Sequence, residues 1–258
     1  IKNIDMLNLI GVEASGTVDI NAQGINANGA ISANNLILNG GQGAVTLTSY
    51  VDVVGETTIT GQSLSVAGDI VASNIQLNAQ GEALLNGELN TGNGQAVFVS
   101  ANDIVQNGLI TAGTDVRLTT AEDLIQNADI SANNDITLDA GTDLLMNESY
   151  TTQADSIEVL AGGTLNMNIL TAENGIRVEG GAITQQGNLS TASGDINIAG
   201  SNFAMNSGVS LTAATGSIHL NSDADVTARD INAATNISIA ALGNVQLNEN
   251  LVAGAGSI

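Results

Sequence analysis

Residues 112–132 read Ala112-Gly113-Thr114-Asp115-Val116-Arg117-Leu118-Thr119-Thr120-Ala121-Glu122-Asp123-Leu124-Ile125-Gln126-Asn127-Ala128-Asp129-Ile130-Ser131-Ala132. Val116-Arg117-Leu118 and Ile130-Ser131-Ala132 alternate apolar and polar side chains, which is the period of a strand and not of a helix. Around the runs stand Gly113, Asp123, Asn127 and Asp129, residues that favour turns. The next residues, Asn133-Asn134-Asp135-Ile136-Thr137-Leu138, begin the same pattern again about twenty positions on.

Moving outward, the aliphatic–any–aliphatic run recurs as Val18–Ile20, Leu36–Leu38, Ile75–Leu77, Val97–Val99, Val116–Leu118, Ile136–Leu138 and Ile157–Val159. It continues as Ile176–Val178, Ile196–Ile198, Ile218–Leu220 and Ile237–Ile239. Thr57–Ile59 is a weaker copy, and Ile258 falls where another starts. A second column, aliphatic–any–small, runs in phase from Ile70–Ala72 through Ile110–Ala112, Ile130–Ala132, Tyr150–Thr152 and Leu170–Ala172 to Leu251–Ala253. A third is visible as Ile104, Leu124, Leu144, Leu165, Ile183, Phe203 and Val245.

One coil of three short strands cannot bury its own apolar face, so successive coils must stack. The expected fold is all-β, a parallel β-helix of about twelve coils of about 20 residues, roughly 58 Å long at about 4.8 Å per coil. Residues 1–258 are read as a single β-helical segment, a fragment of a longer repeat protein. Residues 40–60 are the least regular stretch, where a bulge or widened coil is expected.

Composition fits this reading. Aromatics are 2% of the chain, so the 43% hydrophobic content is nearly all Ala, Val, Ile and Leu, suited to a narrow repetitive core. Proline is absent, as interior strands that need every N–H require. The net charge of −22, from 26 acids against Lys2, Arg117, Arg177, Arg229, argues against nucleic-acid binding, because phosphates would be repelled. No apolar run is long enough to span a bilayer as a helix, so no membrane insertion is expected.

Two polar columns keep the same register. Asn86, Asn107, Asn127, Asn147, Asn168, Asn206 and Asn248 are expected to form a structural ladder of stacked amides, with Gln186 filling the place once. Asp103, Asp123 and Asp143 share a second column, and Asp115, Asp135 and Asp195 each precede a strand. Stacked carboxylates repel, and calcium would relieve that repulsion with oxygen ligands it prefers. Asp103, Asp123 and Asp143 are therefore the candidate calcium ligands, and the alternative makes them turn aspartates facing solvent. No other cofactor is expected.

Catalysis finds little support. Without cysteine there is no thiolate nucleophile and no zinc cluster, and the single histidine, His219, sits outward in Ile218-His219-Leu220. Glycoside hydrolysis needs paired carboxylates in one cleft, and lyase chemistry needs clustered cations. The chain is read as a non-enzyme, with a carbohydrate-active β-helix enzyme as the alternative.

Units such as Ala132-Asn133-Asn134-Asp135-Ile136-Thr137-Leu138-Asp139-Ala140-Gly141 and Ala192-Ser193-Gly194-Asp195-Ile196-Asn197-Ile198-Ala199-Gly200 resemble the repeats of filamentous-haemagglutinin-like exoproteins. The resemblance implies a right-handed β-helical shaft of a large adhesin exported by two-partner secretion to the exterior of the Gram-negative outer membrane. It implies an extended rod for cell–cell or cell–surface contact, meeting an unidentified surface receptor or glycan on another cell. A carrier rod for a contact-dependent toxin is the related alternative. End-to-end association of the segment through its open coil edges is also expected.

Overall fold

The computed structural model describes residues 6–147 and 149–258, so Lys2 lies outside the described residues. The chain is all-β and helix-free, with parallel strands stacked as a β-solenoid of about 12 turns of about 20 residues. It divides into two compact units, Ile1–Asn133 and Asn134–Ile258.

In the first unit each turn contributes three strands, so the stack has three faces. The first face runs from Leu7–Leu9 through Ile25–Ala27, Val45–Leu47, Leu64–Val66, Glu82–Leu85 and Asp103–Gln106 to Leu124–Gln126. The second runs from Val12–Glu13 to Ile130–Ala132, and the third from Thr17–Asn21 to Val116–Thr120. Pairing is parallel and matches like with like, as in Ile110↔Ile130 and Val97↔Val116. The ladder passes from turn to turn: Ile25 N–H donates to Ala44 O and Val45 N–H to Ser63 O, each at 2.9 Å.

The interior consists of the inward member of each alternation. Ile25, Leu36, Leu38, Ile59, Ile70, Ile75, Leu77 and Ile104 are all fully buried. Each such side chain contributes about 1.5–3 kcal/mol relative to exposure. Thr57 takes an inward place between Leu36 and Ile75, where its hydroxyl has no partner.

The structure departs from the sequence pattern in two places. Residues 40–60 hold no widened coil, because Val45 pairs with Ile25 and Val51 with Ile31 in unbroken register. The irregular sequence is absorbed at a corner, where Gly41 adopts φ 55° and Gly43 N–H closes a turn on Gly40 O at 2.9 Å. The second departure is in the second unit, where Thr152 and not Tyr150 fills the aliphatic column. Thr152 pairs with Leu170 and is buried, and Ala154 pairs with Ala172.

The second unit follows the same plan. Ile136, Ile157, Ile176, Ile196, Ile218 and Ile237 form one inward row of its third face. Here some corners open so far that strands merge, giving continuous strands over Thr151–Ala161 and Ile169–Gln185. The register shifts between Ala154 and Ser156, where the corner takes up its extra residue.

A buried amide shapes the corner after the first face. Gln106, Gln126 and Gln185 have no exposed surface, and their Nε2 atoms donate to Gly108 O, Ala128 O and Gly187 O at 2.6, 3.0 and 3.0 Å. The side chain thus satisfies a carbonyl left over where the backbone turns away from the ladder. Met167 and Met205 flank Gln185 in the same column, since a long unbranched side chain fits that place.

Candidate functional site

The aspartate columns serve the backbone. Asp103 Oδ1 accepts the Asp123 N–H at 3.1 Å, and in the second unit Asp143 Oδ1 accepts the Thr164 N–H at 2.6 Å. The same arrangement joins Asp69 to Glu88 N–H at 2.8 Å, and both Asp195 to Ser217 N–H and Asp225 to Asn244 N–H at 2.7 Å. Each carboxylate satisfies a corner N–H of the following turn through a charge-assisted hydrogen bond. Among the described residues no group of three or more acids and histidines is arranged to hold a metal ion.

This role separates two substitutions at one position. Asp103→Asn keeps an oxygen acceptor and is expected to unfold within about 0.5 kcal/mol of the parent, whereas Asp103→Ala loses about 1 kcal/mol. Urea unfolding with and without millimolar calcium checks this. A calcium-dependent rise in midpoint that Asp103→Asn abolishes would instead assign calcium to this column.

The amide column is a ladder over part of its length. Asn107 Nδ2 donates to Asn86 Oδ1 at 2.7 Å, and Asn127 Nδ2 to Asn107 Oδ1 at 2.9 Å. In the second unit the column changes character. Asn147 Oδ1 accepts the Ser149 N–H at 3.1 Å within its own turn, and Asn248 accepts from Gln246 at 2.8 Å. Asn206 is exposed, and Asn168 is fully buried with neither side-chain polar atom partnered. The ladder therefore holds for Asn86, Asn107 and Asn127 and does not extend to Asn168.

A concavity lies on the outer surface of the third face of the second unit. Strand pairing sets Thr137, Glu158, Arg177, Asn197, His219 and Ser238 in one outward row, one residue per turn. A groove of about 420 Å³ surrounds Arg177, with Asp135, Ser156, Asn174 and Asp195 on its walls. A second hollow of about 220 Å³ shares Arg177 and Asn197 with it and continues past His219 to Ser238.

Arg177 is the fixed point of this groove. Its guanidinium bonds Glu158 on the preceding turn and Glu179 two residues along its own strand. The hydrogen bond to Glu158 raises Arg177 above its ordinary value, desolvation opposes this, and the charge of Glu179 adds to the rise. Ion pairs this exposed contribute little stability, but they orient the guanidinium. Asn174 is held likewise, its Nδ2 donating to Asp155 at 2.8 Å.

Arg117 and Arg229 have partners of their own. Arg117, in the first unit, donates to Thr119 Oγ1 at 3.2 Å. Arg229 donates to Met205 O at 3.0 Å and pairs with Glu249 at 3.2 Å. The outward row was legible from the strand period, since each member sits at the middle of its aliphatic–any–aliphatic run. The clamp on Arg177 follows from the register that sets Glu158 beside it and from Glu179 two residues along the strand. No helix among the described residues is long and apolar enough to cross a membrane. No protein-family model, curated protein or solved structure matches the chain.

Proposed function

We propose that this chain is a shaft segment of a large secreted or surface-exposed bacterial adhesin of the filamentous-haemagglutinin-like type. On this reading it is an extended spacer that holds adhesive contacts away from the Gram-negative cell. What supports it is the coil-to-coil ladder within each unit, with aliphatic rows inside and hydrogen-bonded corners outside. Such a ladder resists extension along its axis and leaves long side faces free for weak, repeated contacts. The acidic surface keeps neighbouring shafts apart.

End-to-end stacking belongs to the same reading. Stacking would pair the open coil edge of one copy with that of the next.

Small-angle X-ray scattering of the purified chain tests the shaft. An elongated profile, roughly 58 Å or longer at about 4.8 Å per coil, is the expected result. Growth of the longest dimension with protein concentration would report stacking of ends. A compact, near-spherical profile would overturn the shaft and the adhesin assignment together.

A further inference from the structure

We infer that the groove centred on Arg177 binds an extended, uncharged oligosaccharide lying along the outward row of the third face. The proposal deepens the shaft reading and rests on it for a biological role.

Most polar groups at the corners are occupied by the ladder, as with Asn86, Asn107 and Asn127 or Asp195 and Ser217. The outward row of the groove, at mid-strand, stands clear of these corner bonds. Thr137, Asn197, His219 and Ser238 carry no internal side-chain hydrogen bond, and neither does Asn221 in the adjoining row. These are hydroxyl, amide and imidazole groups, each able to donate and accept. Sugar hydroxyls have the same dual character.

Charge narrows the class of ligand. Asp135, Glu158, Glu179 and Asp195 outnumber the single guanidinium, so an anionic polysaccharide would be repelled. A cationic peptide would meet carboxylates already engaged. Glu158 and Glu179 hold Arg177, Asp195 Oδ1 holds the Ser217 N–H, and Asp135 also has a partner. The unengaged groups are neutral, which favours a neutral partner.

Spacing supports an extended chain. The row places one side chain every turn, about 4.8 Å apart, close to the length of one ring in a linear glycan. The two hollows share Arg177 and Asn197, so a ligand can run from Ser156 to Ser238 without leaving the groove.

Titration calorimetry of the full chain with cellohexaose, maltohexaose and chitohexaose is the test, with hexalysine and a sulfated hexasaccharide as charge controls. At least one neutral hexasaccharide is expected to bind saturably, with an affinity that changes less than about twofold between low and high salt, as a weakly screened contact should. Asn197→Ala combined with His219→Ala should weaken it by roughly tenfold, because two hydrogen bonds of ordinary strength are lost. Both side chains face outward without internal partners, so the variant should keep the parent unfolding midpoint. Thr119→Ala, in the first unit, should bind as the parent does.

Failure of all three neutral glycans to bind would overturn the proposal. So would binding indifferent to the double variant, or binding confined to hexalysine or the sulfated sugar and abolished by salt. Scattering on the same sample reports on the shaft independently, so either conclusion can fail alone.

Discussion

Gly194→Ala should be among the most destabilising single-methyl additions in this chain, lowering stability by about 3 kcal/mol, the upper end of the range for overpacking. A Cβ at Gly194 would stand 1.0 Å from the carbonyl oxygen of Asn174 and 2.1 Å from its carbon. Both are backbone atoms of the preceding turn, so no rotamer change relieves the clash. The two turns must separate, and the neighbouring bonds with them, including Ser193 N–H to Glu173 O at 2.7 Å. Two other glycines serve as controls. Gly92 has φ 56° and open space around its missing Cβ, so Gly92→Ala meets only backbone strain of about 1 kcal/mol. Gly16 has neither constraint, and Gly16→Ala should stay within about 0.5 kcal/mol. Urea midpoints of the three variants should fall in that order. If Gly194→Ala unfolds no earlier than Gly16→Ala, the close approach of turns at that corner is wrong.

The second large effect runs in opposite directions along one column. Asn168→Leu should raise stability by about 1–2 kcal/mol, because a buried amide with no partner costs that much or more in desolvation. Thr57→Val, nearly isosteric, should gain about 1 kcal/mol on the same grounds, since the Thr57 hydroxyl is buried and unpartnered. Asn107→Ala should instead lose about 1 kcal/mol, since it removes the amide that both Asn86 and Asn127 use. Thermal or urea unfolding of the three variants decides the matter. A destabilised Asn168→Leu would mean that the amide is hydrogen-bonded in solution, through a bound water or a rearranged turn.

These contrasts show where sequence sufficed and where it failed. The inward rows were legible because alternation by two and recurrence near twenty residues leave few other folds. The first and second faces were not traced back to Leu7, Ile25, Val45 or Val12, Ile31, Val51, because glycine-rich corners of uneven length blur the spacing. Tyr150 was misplaced for a related reason. Two extra residues in its turn move Thr152 and Ala154 into the inward places. The amide column could be read as a column, but whether a given amide faces solvent, as Asn107 does, or the interior, as Asn168 does, depends on the path of the corner. The aspartates were recognised as stacked, yet their partner is an N–H one turn onward, a contact that only the pairing register reveals. The buried glutamines leave no signal in the sequence, because a glutamine among Asn and Gly looks like a turn residue and not a core one.

The corner bonds also set how a chain of this kind can change length over generations. Asn39 reaches Asn21 across 18 residues and Ser210 reaches Asn188 across 22, yet the inward rows stay in phase because corners absorb the difference. Loss or duplication of a complete turn leaves every surviving row facing its own kind. Removal of a single residue inside a strand exchanges its inner and outer faces and ruins the turn. Heritable growth of this protein is thus quantised in whole turns, with small insertions tolerated only at the bends.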